Sequence, residues 1–176
     1  MKGTIVRCLE ELVTKRFGRA VWENALTAVG MDSSTVFLAV QDIEDSTVIG
    51  VLSAFRQQNG LTTAQAADAF GEYWVKEYSQ RLFPHYYSDC TSARDFLLKM
   101  DDVHVSMTRH VQDARPPRFE YEWKDEQTLL MHYKSHRPLL DFVVGLAKGV
   151  GAYYNEPLSA RKIGANTVKI RFLDSR

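Results

Sequence analysis

The sequence predicts an α+β fold, in which a helical N-terminal part packs against a C-terminal part with a small antiparallel sheet and one helix. Two observations indicate this class. Apolar residues recur with a helical period through roughly the first 110 residues, and they alternate with a period of two from Phe119 onward. The change of period follows the Arg115-Pro116-Pro117 segment. We therefore expect one domain over residues 1–176, with a helical part of about residues 1–112 and a sheet-containing part of about residues 113–176.

The helical part carries a series of apolar stripes, and each stripe predicts one helix. Thr62 with Gln65 forms a capping-box pattern, Ser92 is a suitable N-cap, and Pro84 ends the helix before it. The predicted stripes are Ile5–Val13, Trp22–Val29, Val48–Phe55, Phe70–Tyr78 and Phe96–Met107. This part of the chain is therefore expected to be helical.

The sheet-containing part is predicted from alternation and from turn signals. Aromatic residues alternate with glutamates over residues 119–123, and the turn-forming residues 124–126 follow, so the next apolar run is the second arm of a hairpin. Proline suits the first position of a helix, which places a helix start at Pro138. The predicted strands are residues 119–123, 129–137, 156–162 and 167–173, with the last two joined around Gly164.

Composition excludes several classes of function. The 22 basic residues balance the 22 acidic residues, so we expect neither a nucleic-acid surface nor a polybasic membrane patch. No apolar run reaches the ~18 residues that span a bilayer, and Arg7, Glu10 and Glu11 interrupt any signal-peptide core. Cys8 and Cys90 have no metal-binding or redox spacing, which favours a reduced, cytoplasmic setting.

The stretch LLMHYKSHR at residues 129–137 contains an unusual polar end. Alternate side chains of a strand share one face, so the apolar face that begins with Leu129 and Met131 continues into Tyr133, Ser135 and Arg137. One interpretation places Arg137 at the strand end, in reach of water, with the two hydroxyls capping backbone groups. The other is a shared partner with carboxylates or phosphates, which a guanidinium binds as a bidentate fork and hydroxyls support.

His104 is the histidine whose position suggests a second feature of a site. It lies four residues after Met100 and three before Met107, on or beside the apolar stripe of its helix. A histidine there is either a core residue or a metal ligand. No second histidine stands four residues away, so a zinc site is unsupported. A porphyrin, however, supplies four nitrogens and two carboxylates, so one buried histidine with a Tyr/Ser/Arg anion site is the set that haem requires.

These residues fall within a pattern of motifs that extends along nearly the whole chain. The chain resembles the H-NOX domain, the haem-binding nitric oxide/oxygen sensor module also found in soluble guanylate cyclase, with the family's order and spacing. The matching segments are MKGTI at residues 1–5, MDDVH ending in His104, Pro116-Pro117, Tyr-x-Ser-x-Arg at residues 133–137, and FVVGLAKG at residues 142–149.

The resemblance implies a role for each residue of a haem site, with haem b (iron protoporphyrin IX) between the helical and sheet-containing parts. His104 is then the proximal iron ligand, and Pro117 presses on the porphyrin and distorts it. Tyr133, Ser135 and Arg137 grip the propionates. The positions implied on the distal side are Ile5, Trp74, Val75, Tyr78, Phe142 and Leu146.

The sequence departs from oxygen-binding members of this family at one distal position. Those members carry a tyrosine five residues after the motif arginine, where this chain has Phe142, which cannot donate a hydrogen bond. Tyr78 replaces a usual apolar aromatic residue, so its phenol either enters the pocket or lies at the surface or against backbone. Trp74 also carries an N–H, but packing is its expected role. The resemblance thus implies binding of NO and CO, with oxygen binding through Tyr78 as the alternative.

The implied activity is sensing without turnover. The resemblance implies that ligand binding at ferrous haem would weaken the bond to His104, release its helix and shift the packing of the domain. The chain carries no effector, so the expected partner acts in trans, namely a histidine kinase or a cyclic-di-GMP enzyme as for stand-alone bacterial members; a segment of a larger receptor would look the same. A peroxidase-like haem enzyme and a non-haem module for carboxylate ligands are the other classes. The first lacks a distal histidine–arginine pair, and a visible spectrum distinguishes the second.

Overall fold

The computed structural model describes residues 1–109 and 115–173, and these residues form a mixed helical and antiparallel-sheet structure. The α+β class is thereby confirmed, while the predicted boundary near residue 112 lies outside the described residues. The elements are α1 (Gly3–Phe17), α2 (Arg19–Thr27), α3 (Asp45–Gln58), α4 (Thr63–Tyr73), a π-helical turn (Trp74–Tyr78), α5 (Ser79–Leu82), α6 (Pro84–Ser88), α7 (Ala93–Leu98), α8 (Met100–Thr108), β1 (Arg118–Asp125), β2 (Thr128–Lys134), α9 (Leu140–Tyr153), β3 (Leu158–Ile163) and β4 (Thr167–Phe172).

The chain divides into two compact units, Met1–Ala66 and Ala67–Arg176. The first unit contains α1 to α3, and the second contains most of α4 and all later elements. Among the helices described, none is long and apolar enough to cross a membrane.

In the first unit, the N-terminal segment is fixed by backbone contacts that explain the MKGTI motif. Gly3 N donates to Gln41 O at 2.8 Å, and the N-terminal ammonium pairs with Asp45 Oδ1 at 2.8 Å. A Cβ atom on Gly3 would lie 1.9 Å from the carbonyl oxygen of Leu38. The start of α1 therefore requires glycine at this position.

The capping predictions are confirmed. Helix α9, however, begins at Leu140 and not at the predicted Pro138, and two other predicted helices differ in extent or geometry. Thr62 and Gln65 exchange hydrogen bonds of 2.9 and 3.1 Å, and Ser92 Oγ accepts from Asp95 N at 3.0 Å. The prediction of one helix over Phe96–Met107 is wrong, because α7 and α8 are separate helices that meet at Lys99.

The helix predicted over Phe70–Tyr78 also changes its geometry along its length. It is α-helical through Tyr73 and then makes a π turn, in which Ser79 N–H bonds to Trp74 O, five residues back. The helix resumes as α5 and ends at Leu82, and Pro84 is the first residue of α6. Proline is acceptable there because the first N–H groups of a helix have no intrahelical acceptor.

The second unit is built on a four-stranded antiparallel sheet with the order β1-β2-β4-β3. The predicted hairpin is confirmed, with Phe119 opposite Tyr133 and Trp123 opposite Leu129. The predicted late strands are confirmed as β3 and β4, with Gly164 in their turn at φ 67°. Helix α9 packs on β3, on β4 and on the π turn, so that one apolar core joins the sheet to the helices.

Helices α4 and α9 cross so closely that their backbones are in contact. A Cβ atom on Gly71 would lie 2.1 Å from Gly145 C, one on Gly145 would lie 2.1 Å from Ala67 O, and one on Gly149 would lie 2.5 Å from Gly71 O. At the same crossing Lys148 Nζ donates to both carboxylate oxygens of Asp68, at 2.9 and 2.7 Å. The glycines of the FVVGLAKG motif therefore set the distance between these helices.

Candidate functional site

The structure corrects the strand prediction over residues 129–137. Leu129, Met131 and Tyr133 are buried, as the alternation predicts. Strand β2 ends at Lys134, however, so Ser135 and Arg137 do not continue its face. Leu130, on the opposite face of β2, is also buried, and its cross-strand neighbours are Glu122 on β1 and Lys169 on β4.

Ser135 and Arg137 lie in the turn that follows Tyr133 and Lys134 at the end of β2. Ser135 Oγ accepts from Arg137 N at 3.2 Å, and this contact shapes the turn that follows β2. Arg137 Nη1 donates to the carbonyl oxygen of Arg115 at 2.9 Å, so one arm of the half-buried guanidinium has a neutral backbone partner. The hydroxyl cap on the backbone is thus present at Ser135. A phenol, a hydroxyl and a guanidinium also lie within five residues, a donor set suited to carboxylates.

His104 lies on α8 and faces strand β1 of the same unit. Its ring stacks on Phe119 with centroids 5.6 Å apart, and the Phe119 ring lies 5.9 Å from that of Tyr133. A row of three rings therefore connects the histidine to the residues at the end of β2.

The imidazole of His104 is in an apolar environment. Burial lowers the pKa of His104, and the nearby negative charge of Asp101 opposes this only in part. Within residues 1–109 and 115–173, the buried Nδ1 atom has no hydrogen-bond partner. His104 is therefore a neutral imidazole at pH 7, which is the form that binds metals.

Asp101, one turn before His104, anchors α8 to the sheet. Its carboxylate accepts from Arg118 Nε at 2.8 Å, from Arg118 Nη2 at 2.7 Å and from Phe119 N at 2.8 Å. The hydrogen bonds from Arg118 are the main reason that the pKa of Asp101 lies below its usual value. Tyr121 strengthens the anchor, because its hydroxyl donates to Leu97 O at 2.9 Å and accepts from Asp101 N at 3.3 Å.

Three of the six predicted distal residues, Trp74, Tyr78 and Phe142, gather with Phe70 in the second unit. The Phe70 ring stacks on Trp74 at 5.9 Å and meets the Phe142 ring edge-on at 5.4 Å. The Trp74 and Tyr78 rings lie 5.6 Å apart. We call these four residues the distal aromatic cluster.

The remaining predicted residues occupy different environments. Val75 is buried in the core that includes Tyr133, and Leu146 packs against that core. Pro117 is half-buried just before β1. Ile5 lies on α1, in the first unit, with a partly exposed side chain.

Tyr78 is buried, with 6% of its surface exposed. The guanidinium of Arg81 lies over its ring at 5.4 Å from the centroid. The tyrosine that replaces an apolar residue of the family is therefore packed into the distal aromatic cluster on one side and contacts a cation on the other.

Sequence reasoning missed three residues that organise the site. Phe119 joins His104 to Tyr133, Arg118 holds Asp101, and Phe70 stands at the centre of the distal aromatic cluster. The four-residue spacing of Phe70, Trp74 and Tyr78 was a usable signal for the last of these. The other two depend on the pairing of α8 with β1, which no local pattern shows.

Comparison with known proteins agrees with this geometry. The haem-NO-binding family matches residues 2–162. A Cs H-NOX mutant with 4-cyano-L-phenylalanine at site 5 is 24% identical, with a TM-score of 0.87 over 99% of this chain and 97% of that one. An oxygen-binding H-NOX domain related to soluble guanylate cyclases, solved as its oxygen complex, is 25% identical, with a TM-score of 0.81 over 99% of this chain and 96% of that one. The I5F mutant of T. tengcongensis H-NOX is 24% identical, with a TM-score of 0.85 over 99% and 98% of the two chains.

The chain belongs to the haem-NO-binding, or H-NOX, family. Members of this family bind haem and gaseous ligands and signal to partners. They are sensor domains, so the expectation that this chain is not an enzyme is confirmed.

Proposed function

We propose that this chain is a bacterial, cytoplasmic sensor of NO that holds haem b through His104 and signals to a separate histidine kinase or cyclic-di-GMP enzyme. Ferrous haem, when bound, supplies an open iron position for NO or CO. The observation that carries the preference for NO is the distal aromatic cluster, in which the Phe142 ring packs edge-on against Phe70 and offers no hydrogen-bond donor. Bound oxygen gains most from such a donor, whereas NO and CO need one far less.

His104 is the residue best suited to hold the iron. It is neutral and largely buried, and the orientation of its ring is fixed by stacking on Phe119. A neutral imidazole in an apolar site is the usual proximal ligand of haem. Asp101 ties the first turn of α8 to β1 whether or not His104 holds iron. If the iron–histidine bond were lost, we expect this end of α8 to stay attached to the sheet.

Tyr133, Ser135 and Arg137 are suited to bind the two propionates. The Arg137 guanidinium already bonds a backbone carbonyl through one nitrogen, so a carboxylate can take the place of a weaker, neutral acceptor. The Tyr133 side chain adjoins the same core as Val75 and Leu146, so the proposed propionate and distal groups border one apolar region of the second unit.

The ligand preference is tested with the reduced, haem-loaded protein. We expect a stable NO complex, largely five-coordinate, a stable CO complex, and no lasting oxygen spectrum in air. The Soret and visible bands report each outcome. A lasting oxygen spectrum that vanishes in Tyr78→Phe would replace this proposal with an oxygen sensor that uses the buried phenol, and one that survives the change would assign the donor to Trp74 or to water.

Removal of the Arg137 guanidinium should weaken haem retention by roughly ten- to a hundredfold, because a charge-assisted hydrogen bond contributes about 1.5–3 kcal/mol. The measurement is the rate of haem transfer from Arg137→Ala to an excess of an apoprotein that captures haem. His136→Ala is the matched control, because His136 is the exposed neighbour in the same turn. Equal loss rates for Arg137→Ala and the unmodified chain would contradict the proposed propionate site.

A further inference from the structure

The π turn at Trp74–Tyr78 is stabilised by a chain of buried hydroxyl groups. Ser79 Oγ donates to Trp74 O at 2.7 Å, the same carbonyl that accepts the π-type hydrogen bond from Ser79 N–H. Ser79 Oγ also bonds the hydroxyl of Tyr87. A carbonyl can only accept, so the single Ser79 hydroxyl proton is committed to Trp74, and Tyr87 must be the donor to Ser79. The order is therefore Tyr87 O–H to Ser79 O–H to Trp74 O.

The donor end of this chain is rigid. The Tyr87 ring stacks on Phe96 at 4.7 Å and meets Tyr153 edge-on at 5.1 Å, and Tyr87 O accepts from the Tyr154 hydroxyl at 3.1 Å. Burial raises the pKa of Tyr87 to about 12, so the hydroxyl remains protonated and able to donate at physiological pH.

Side chains donate hydrogen bonds to the backbone carbonyls of the π turn. Gln80 Nε2 donates to Val75 O at 2.9 Å and to Lys76 O at 3.1 Å. Together with the Ser79 contact, three successive carbonyls of the turn thus receive side-chain hydrogen bonds. Such a turn is less favourable than α-helix by itself and persists where its surroundings support it.

The π turn decides the direction of the distal side chains. Each residue of an α-helix turns the chain by about 100°, so one extra residue in a turn offsets everything after it by about that angle. Trp74 and Tyr78 stand at the two ends of the turn and are in ring contact at 5.6 Å. The relative orientation of the two rings therefore depends on this segment keeping its π geometry and not becoming α-helical.

We propose that Ser79 and Tyr87 are positioning residues. The hydrogen bonds of their hydroxyl groups stabilise the π turn and thereby orient Trp74 and Tyr78 in the distal aromatic cluster. The consequence of this orientation for ligand binding rests on the proposed function. The positioning itself concerns the protein alone and is testable without haem.

The first measurement is hydrogen exchange of the haem-free protein, followed at the backbone amides of residues 79–83. Tyr87→Phe and Ser79→Ala each remove one hydroxyl, and each should speed exchange of the Ser79 amide by roughly three- to tenfold, the effect of one lost neutral hydrogen bond. The double variant should exchange no faster than Ser79→Ala alone, because both changes break the same chain. Ser79→Thr, which keeps a hydroxyl, should remain near the unmodified rate.

The controls remove a phenol hydroxyl and a serine hydroxyl that take no part in the hydrogen bonds of Ser79 and Tyr87. Tyr86→Phe alters the neighbouring tyrosine, and Ser88→Ala removes an exposed hydroxyl that donates to His85 O at 3.1 Å. Neither should alter exchange at residues 79–83. Unchanged exchange in both Tyr87→Phe and Ser79→Ala would overturn the proposal, as would a uniform increase along the whole chain, which would assign these residues to general stability.

The second measurement is the C–O stretching frequency of the CO complex, which reports the surroundings of the bound ligand. It should shift in Tyr87→Phe and Ser79→Ala and stay constant in the two controls. Faster exchange at the π turn with an unshifted C–O frequency would refute the claim that the π turn orients the distal side chains. The proposed function would remain intact. Failure to bind haem would refute the proposed function, and the exchange result would stand.

Discussion

His104→Gly should bind haem without an iron–histidine bond, and free imidazole should restore that bond. The structure supports a complete loss because His104 is the neutral, largely buried imidazole of the site, and glycine leaves space for the free ligand in the same apolar environment. The measurement is the ferrous spectrum, together with the iron–histidine stretching band, before and after imidazole is added.

The control for this experiment is His85→Gly. His85 is exposed on α6, so this variant carries a similar cost of placing glycine in a helix, at most about 1 kcal/mol, without touching the site. It should retain the unmodified spectrum. A five-coordinate ferrous histidine spectrum in His104→Gly before imidazole is added would show that another residue is the iron ligand.

Gly145→Ala should lower the free energy of unfolding by about 2–3 kcal/mol and the melting temperature by roughly 4–12 °C. The added Cβ would lie 2.1 Å from Ala67 O and 2.5 Å from Ala67 C, and both atoms belong to the α4 backbone. Backbone cannot rotate aside as a side chain does, so α4 and α9 must separate. The Phe70–Phe142 contact lies between the same two helices, so the distal aromatic cluster should loosen with them.

Urea unfolding and thermal denaturation measure this effect, and Gly50→Ala provides the matched control. Gly50 also lies inside a helix, but its added Cβ would meet only Val29 side-chain atoms, the nearer being Cγ1 at 3.2 Å. Alanine is the better helix former by about 1 kcal/mol, so Gly50→Ala should be neutral or stabilising. Equal destabilisation of the two variants would mean that the close helix crossing does not limit stability.

The sequence predicted the elements whose signals are local. Thr62 with Gln65, and Ser92 with Asp95, form the capping contacts that their spacing indicates. The change of period at Phe119 marks the start of the hairpin, because alternation in a half-buried sheet follows directly from strand geometry. The family resemblance also indicated Trp74, Tyr78 and Phe142, which the structure brings together.

The features that sequence could not give depend on tertiary contacts or on small energy differences. Phe70, Trp74 and Tyr78 have the spacing of an ordinary α-helix, so nothing in the pattern marked a π turn that rests on Tyr87, eight residues beyond Ser79. The end of β2 at Lys134 was missed because residues 135–137 are all polar, so alternation cannot show where the strand stops. The contact of His104 with Phe119 joins two elements separated in sequence, and no periodicity of either element encodes it.

The π turn also affects how the family should be compared. A turn with one residue more than an α turn shifts the count along the helix, so an ungapped alignment with a relative that lacks it matches residues on one side correctly and residues on the other side one position away. At the distal positions of this chain, that offset would pair Tyr78 with a neighbour of its structural equivalent. Trp74 and Tyr78 should therefore be equated with residues of other members by superposition of the helices, and searches for ligand-selecting residues should allow a one-residue gap between them.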